Sequence, residues 1–325
     1  MSATDAAPAR VRPWLGYLYA VAVVLLWAGF SLSGRHAALF TGVRLTPWDL
    51  GALRHFVSGG IAAGLWVAGI GRGLRIERSF VMGVLAGLLF PLPSYVGFTF
   101  APAAHGAVIL SGTLPFLVAI GTWAVYGERW TRRRFASLGV LLCGILMLGY
   151  EAYVQGNRPG AWRGDLLFCV SAVAWAAYTI LARRWRATPG QAVVSVGLWC
   201  AGLYLPVWWV LLPSRLGAAP VGEIVFQTVF QGVLATVVAL FFFTRALNLI
   251  GAGRLTTITA LVPGVAGVLA IPLLGEEMGA VALTGLGLVC VAVALGVGGG
   301  RGERESRGAG LGLGGERGPP DQVRG

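Results

Sequence analysis

Two segments of the chain share one pattern of proline, glycine and glutamate within an apolar run. Residues 111–128 read SGTLPFLVAIGTWAVYGE, and residues 259–276 read TALVPGVAGVLAIPLLGE. In both, a proline lies inside a run apolar enough for a membrane, thirteen residues before the glutamate of a Gly-Glu pair. Pro263 and Glu276 each follow their counterparts, Pro115 and Glu128, by 148 residues. Self-similarity at a fixed interval indicates an internal duplication.

The composition indicates a membrane protein. Hydrophobic residues make up 56% of the 325-residue sequence, charged residues make up only 12%, and the mean hydropathy is +0.75. A typical soluble domain carries about 25% charged residues. All 25 basic residues are arginines in short clusters, which excludes a nucleic-acid-binding face and favours anionic lipid headgroups as partners. The four cysteines lie in apolar runs without CxxC spacing, so we expect buried thiols and neither a metal site nor a disulfide.

Ten segments are long and apolar enough to cross a bilayer, which requires about 20 residues per helix. We predict an all-α integral membrane protein with spans near 14–34, 46–70, 79–98, 101–126, 131–150, 163–183, 189–212, 220–243, 247–274 and 279–298. Two spans begin with the spacing of a capping box, at Thr46 and Thr188. Two pairs with GxxxG spacing, starting at Gly60 and Gly83, are expected to let helices pack closely.

The arginines are distributed unequally between the two sides that these spans define. With residues 1–13 in the cytoplasm, 19 of the 25 arginines fall in inner loops and tails, five fall outside, and Arg54 lies within a span. The positive-inside rule then places both termini in the cytoplasm, with the protein in the cytoplasmic (inner) membrane. Residues 299–325, rich in Gly, Arg and Glu, are expected to form a disordered tail.

The duplication extends along both halves of the chain. Residues at the same interval share their type or chemistry: Trp27 and Trp175, Phe30 and Tyr178, Arg35 and Arg183, Gly127 and Gly275. We therefore predict a first repeat over 14–150, an outer connecting loop over 151–162 and a second repeat over 163–298. Because each repeat holds five spans, an odd number, the two copies must face opposite ways. Inverted repeats of this kind let secondary transporters expose a central site alternately to each side.

Several of these motifs carry a family resemblance: LLWAGF at 25–30, GDLLFCVSAVAWAAYTILARR at 164–184, and the two units of proline and Gly-Glu. Over residues 14–298 the chain resembles the EamA branch of the drug/metabolite transporter (DMT) superfamily, whose members have ten helices in two EamA repeats. The resemblance implies export of amino acids, metabolites or toxic compounds. It also implies a cavity lined by the third, fourth, eighth and ninth helices, with contributions from the first and sixth.

Polar and aromatic residues inside the spans are the candidates for substrate binding: Trp27, Arg54, Tyr95, His105, Ser111, Trp175, Tyr178, Gln231 and Thr259. Arg54 is the strongest anomaly, because an always-charged group within a span needs an acceptor on another helix, a water-filled cavity or a substrate carboxylate. Its alternative role is structural hydrogen bonding. Gln231 is expected to face the interior. For the aromatic residues, plain helix packing competes with lining of the cavity.

His105 and Tyr95 are expected at similar depth near the outer face. A histidine there could carry a coupling proton or bind substrate, and its alternative is a structural hydrogen bond to a carbonyl. Pro115 and Pro263 each remove an amide donor and free a carbonyl four residues earlier, so each is expected to form a hinge or a fixed kink.

Glu128 and Glu276 follow helix-ending glycines. Each is therefore expected to open the next helix, where its charge suits the positive end of the helix dipole. The topology places them at opposite faces of the membrane, so they cannot act as a pair. They serve as landmarks of the repeat.

These features together predict a secondary transporter of a small amphipathic metabolite, such as an amino acid or a nucleoside-like or drug-like compound, and the family resemblance implies that it exports this substrate. The alternatives are a non-transporting membrane scaffold or lipid-handling protein and, less favoured, an intramembrane enzyme. The sequence has no HExxH or GxSxG motif, and without lysine it cannot form the P-loop of an ATPase. No metal or cofactor is expected. The expected partners are a small-molecule substrate and membrane lipid, with a coupling proton as an open alternative.

Overall fold

The computed structural model describes residues 13–40, 45–101, 103–128, 130–156, 159–274 and 278–297. Within these ranges the chain consists of helices and short connections, without a strand. The predicted all-α class is thus confirmed. Gly275 and Glu276 of the second landmark, and the predicted tail over 299–325, lie outside the described residues.

The helices are named α1 to α14 in chain order. They are α1 (Pro13–Phe40), α2 (Pro47–Val67), α3 (Ile76–Gly83), α4 (Pro91–Phe100), α5 (Ala103–Ala107), α6 (Leu114–Tyr126), α7 (Arg132–Gly156), α8 (Ala161–Arg184), α9 (Pro189–Leu211), α10 (Val221–Gln227), α11 (Ala239–Ile250), α12 (Ala252–Thr259), α13 (Val262–Leu274) and α14 (Ala280–Val297). Wider π-helical segments connect α3 to α4 (Val84–Leu88), α5 to α6 (Val108–Gly112) and α10 to α11 (Thr228–Val238). A 3₁₀ turn, Leu216–Ala218, precedes α10.

Among the described residues, eight helical segments are long and apolar enough to cross a membrane: Trp14–Ser33, Ile76–Phe100, Ala104–Tyr126, Arg132–Glu151, Ala161–Arg184, Pro189–Leu211, Val221–Ile250 and Ala252–Leu273. The protein is therefore a multi-pass membrane protein. Helix α2 falls outside this set because Arg54 and His55 lower its mean hydropathy. The apolar part of α14, Ala280–Gly296, is shorter than the eight.

Both predicted capping boxes are present. The side chain of Thr46 accepts a hydrogen bond from the amide of Asp49, whose carboxylate accepts one from the amide of Thr46. Thr188 and Gln191 make the same reciprocal pair at the start of α9. Each box pairs two amides near the helix start, so the local sequence alone sets where α2 and α9 begin.

The predicted boundary between the eighth and ninth spans is wrong. Helix α11 continues to Ile250 instead of ending at residue 243, and α12 begins at Ala252 instead of residue 247. Gly251, with φ of +81°, separates the two helices in a left-handed conformation that suits glycine. Arg245 is exposed on α11, so its charge does not end the helix.

Glycines let particular helices approach closely. A Cβ at Gly83 would lie 2.9 Å from the backbone oxygen of Ser195, which confirms the predicted close packing at this position. The same prediction for Gly60 is wrong, because a Cβ there would meet no atom within 4 Å. The spacing GxxxG does not specify which face of a helix meets a neighbour.

The prediction of buried thiols is wrong for three of the four cysteines. Cys143, Cys169 and Cys290 are exposed on the surface of the helices, and only Cys200 is buried. Its thiol contacts the carbonyl oxygen of Gly83 at 3.3 Å. An apolar run in a membrane helix has one face toward lipid, and a thiol is tolerated on that face as well as inside.

Candidate substrate cavity

A cavity lies between helices from both halves of the chain. Its lining residues are Trp27, Phe30, Ser31, Arg54, Phe90, Ala107, Leu110, Ser111, Trp175, Ala235 and Val262. The family resemblance implied a cavity lined by the first, third, fourth, sixth, eighth and ninth spans, and each of these contributes at least one residue. The second span adds Arg54. The inner volume is about 30 Å³, enough for about two water molecules. A metabolite therefore enters only if the surrounding helices move apart.

Aromatic rings form the apolar wall of this cavity. Trp27 and Trp175 pack edge to face with ring centroids 5.3 Å apart, and Phe90 lies 4.6 Å from Trp175. Tyr178, predicted in the same set, is fully buried and hydrogen-bonds to Thr244 at 3.0 Å. Tyr178 thus packs behind the wall and does not line the cavity. Phe90 was missed because a phenylalanine in an apolar run carries no signal of its orientation.

Arg54 is the charged residue in the lining. Its side chain is only 4% exposed, and Nη1 donates to the hydroxyl of Tyr95 at 3.4 Å. Its Nε makes no hydrogen bond. Asp49, five residues earlier on α2, accepts hydrogen bonds from Ser214 and Arg215 instead. Arg54 therefore carries a positive charge that no described carboxylate neutralises.

A second donor in the lining also lacks a partner. The indole Nε1 of Trp175 is buried and makes no hydrogen bond, although the residue is only 4% exposed. The hydroxyl of Ser31 donates to the carbonyl of Trp27 at 3.4 Å. Arg54 Nε and Trp175 Nε1 can only donate hydrogen bonds, and no described residue supplies an acceptor for either of them.

A chain of buried hydrogen bonds connects Arg54 to residues outside the cavity lining. We call the residues joined by these bonds the Arg54 network, and its members are Arg54, Tyr95, Gln231, Gln227 and Glu223. The hydroxyl of Tyr95 donates to Oε1 of Gln231 at 3.1 Å, and Nε2 of Gln231 donates to Oε1 of Gln227 at 3.4 Å. Gln227 donates in turn to Glu223 at 2.8 Å. The predicted inward orientation of Gln231 is confirmed, since it is 1% exposed.

Glu223 and Gln227 were missed as members of this network. Glu223, Gln227 and Gln231 follow one another at intervals of four residues, which places all three on one helix face. This spacing can be recognised in the sequence. Tyr95 lies on a different helix, α4. Its partnership with Gln231 depends on tertiary packing.

His105 lies apart from the cavity lining. Its Nδ1 is 2.9 Å from Oδ1 of Asp165 on α8, and its side chain is 7% exposed whereas that of Asp165 is 33% exposed. Tyr95, predicted at a similar depth, joins the Arg54 network instead. Sequence reasoning missed Asp165, although it is the only acidic residue of α8.

The two repeated prolines each stand at the second residue of a new helix. Pro115 follows Leu114 at the start of α6, and Pro263 follows Val262 at the start of α13. Both helices follow a break in the preceding one, where a missing amide donor costs little. Ser111 lines the cavity just before the first break, whereas the hydroxyl of Thr259 donates to the carbonyl of Thr256 at 3.0 Å. A hinge role for these prolines stays a prediction.

The prediction that Glu128 opens the next helix is wrong. Gly127, with φ of +64°, ends α6 as expected, but α7 begins only at Arg132. The carboxylate lies 2.7 Å from Arg183 of α8 and 3.4 Å from Arg134. Partly exposed pairs of this kind contribute at most about 1 kcal/mol each. The partner on α8 could not be recognised because it is distant in sequence.

Comparison with known proteins finds similarity to a family of transporters. Residues 162–297 match the EamA-like transporter family. A probable amino-acid metabolite efflux pump of Salmonella typhimurium is 27% identical over 203 residues, which are 58% of this chain and 65% of that protein. The uncharacterized transporter YwfM of Bacillus subtilis is 24% identical over 286 residues, 84% of this chain and 92% of the relative.

Two further comparisons support the same assignment. The aromatic amino acid exporter YddG of Ancylobacter novellus is 29% identical over 224 residues, 63% of this chain and 75% of that protein. One solved crystal structure shares the fold with a TM-score of 0.65 and 21% identity, covering 86% of this chain and 95% of the other. The family match in the second half of the chain, and relatives named as transporters whose similarity extends into the first half, support the resemblance to EamA-like transporters.

Proposed function

We propose that this protein is a secondary transporter that exports a small amphipathic metabolite by alternating access. The observation that carries the proposal is a cavity between both halves of a membrane protein, with aromatic walls and the unneutralised cation of Arg54. Relatives named as an efflux pump for amino-acid metabolites and an exporter of aromatic amino acids support the outward direction. A scaffold or lipid-handling protein has no need for a buried cation that faces a cavity.

The proposed architecture has ten crossings in two inverted repeats, 14–150 and 163–298, in the cytoplasmic membrane, with both termini in the cytoplasm. A contact that occurs twice supports it: Gly144 of α7 packs on Gly285 of α14, and Ser137 of α7 donates to the carbonyl of Ala292 of α14 at 2.8 Å. At the interval of 148 residues Ser137 corresponds to Gly285 and Gly144 to Ala292, so these are equivalent contacts, as a twofold interface requires. The structure continues α7 to Gly156 and begins α8 at Ala161, so the predicted loop over 151–162 is shorter than expected. A phosphatase reporter inserted between these two helices should be active outside the cytoplasm, and an inactive one would contradict this topology.

A coupling proton stays a prediction, and we propose the pair of His105 and Asp165 as its binding site. The imidazole Nδ1 of His105 and the carboxylate of Asp165 are close enough to hold one proton between them, and this pair joins α5 to α8. Transport should then depend on an imposed pH gradient, and His105→Gln should remove that dependence. Equal gradient dependence in the variant would contradict the assignment.

Filling the cavity tests its role in transport. Ala235 lines the cavity and is 6% exposed, so Ala235→Trp should occupy the space that a substrate needs. We expect counterflow in proteoliposomes, measured across amino acids, nucleosides and aromatic carboxylates, to fall at least about tenfold, because the indole occupies the space for substrate and a loss of about 1.4 kcal/mol in binding is a tenfold change.

The matched control is Ala63→Trp, on the exposed face of α2, which should keep nearly wild-type counterflow. Both variants must elute as folded protein at equal yield, and Ala235→Leu provides a smaller filling residue. Full transport by the folded Ala235 variants would show that substrate passes elsewhere. A lack of counterflow by the wild type for every compound would contradict the transporter itself.

A further inference from the structure

The cavity lining limits the charge that its substrate can carry, and this inference rests on the proposed transport function. The polar groups of the lining are the guanidinium of Arg54, the indole N–H groups and the hydroxyls of Ser31 and Ser111. No lining residue is acidic. The cavity therefore presents one positive charge and mainly hydrogen-bond donors.

The unpartnered donors require an acceptor from the ligand. Arg54 Nε and Trp175 Nε1 are both buried without a partner, and neither group can accept a hydrogen bond. Buried polar groups in folded proteins are nearly always paired, and since both donors belong to residues that line the cavity, an acceptor on a bound molecule can pair with them. A carboxylate supplies two acceptor oxygens and also neutralises the guanidinium. The surrounding rings of Trp27 and Phe90 fit an aromatic or other planar apolar group beside it.

An ammonium group finds no matching partner in this cavity. Asp49 is fully buried and is bonded to Thr46, Ser214 and Arg215, and Glu223 accepts from Gln227 within the Arg54 network. Neither carboxylate belongs to the lining. A zwitterionic amino acid would place its ammonium in a low-dielectric space beside an arginine, with only ring faces and hydroxyls as partners. Burial of an unpaired charge is strongly unfavourable.

We propose that the cavity selects aromatic carboxylates that lack an α-ammonium group, such as aryl-propionates or aryl-pyruvates, over the corresponding amino acids. Arg54 binds the carboxylate, and the tryptophan and phenylalanine rings bind the aromatic part. This substrate class differs from the amino acids in the name of the Ancylobacter relative.

Four compounds that share one phenyl skeleton test this selectivity: 3-phenylpropionate, phenylpyruvate, L-phenylalanine and phenethylamine. Each competes for counterflow of radiolabelled 3-phenylpropionate and, separately, of radiolabelled L-phenylalanine in proteoliposomes of the full-length protein. The two carboxylates should compete at least about tenfold more strongly than phenylalanine, and phenethylamine should compete least. Stronger competition by phenylalanine, or by phenethylamine through its ammonium on the rings, would overturn the proposal.

Two arginine variants distinguish a specific role of Arg54 in carboxylate binding from a general effect of removing one positive charge. Arg54→Gln should remove the preference for carboxylates, whereas Arg245→Gln, at an exposed arginine of α11, should retain it. If Arg54→Gln fails to fold, the competition series on the wild type still decides. Counterflow of phenylalanine without selectivity for carboxylates overturns only this inference. If the wild-type protein transports neither radiolabelled compound, this inference is overturned as well. The proposed transport function fails only if the wild type also transports no amino acid, nucleoside or drug-like cation.

Discussion

Gln231→Glu is expected to lower transport at subsaturating substrate by about 100-fold while the protein stays folded. The Oε1 of Gln231 accepts from the hydroxyl of Tyr95, which itself accepts from Arg54, so glutamate keeps this acceptor and adds a negative charge. At a separation of about 6 Å and an effective dielectric of about 20, two unit charges attract by about 3 kcal/mol. The new carboxylate thus supplies the countercharge that an anionic substrate otherwise provides.

The control for this prediction is Gln231→Leu, which removes the hydrogen bonds without adding charge. Arg54 keeps its bond to Tyr95 in that variant, so the loss of transport should be much smaller than with glutamate. The measurement is the initial rate and the KM for 3-phenylpropionate in proteoliposomes at equal protein content. An unchanged KM in Gln231→Glu would contradict electrostatic coupling between the Arg54 network and the cavity.

Asp49→Ala is expected to destabilise the folded protein by about 3 kcal/mol or more. The carboxylate is fully buried and accepts hydrogen bonds from the hydroxyl of Ser214 at 2.6 Å, the amide of Arg215 at 2.9 Å and the indole of Trp208 at 3.3 Å, besides those from Thr46. It therefore ties the start of α2 to the connection after α9. Hydrogen bonds to a charged group contribute about 1.5–3 kcal/mol each, of which the exposed Ser214 and Arg215 regain a part from water when the carboxylate is removed.

Thermal unfolding of the detergent-solubilised protein checks this prediction. A loss of about 3 kcal/mol corresponds to a Tm lower by about 4 °C in a protein of this size. The control is Glu77→Ala, since Glu77 is an acidic residue of α3 whose side chain is 65% exposed, and it should change the Tm by much less. A Tm for Asp49→Ala equal to that of the control would show that the hydrogen bonds at Asp49 contribute little to stability.

The candidate site could be predicted from the sequence only in part. Arg54, Trp27 and Trp175 were recognised because a charge or a large ring inside an apolar span stands out by residue type alone. Phe90, Leu110 and Val262 carry no such signal, since they resemble the lipid-facing residues around them. The helices are apolar on nearly every face, so the sequence pattern does not indicate which face points inward.

The helical class, most span boundaries, the two capping boxes and the repeat spacing can all be read from the amino-acid sequence. Hydropathy and helix capping depend on residues that are close in the chain, and a repeat is found by comparing residue types. The contacts of Tyr95 with Arg54 and Gln231, of His105 with Asp165 and of Glu128 with Arg183 are visible only in the folded protein. These partners lie on different helices, and their contact depends on how each helix is rotated and how deep it sits against its neighbours. That arrangement minimises the free energy of the whole bundle, so no short stretch of sequence specifies it.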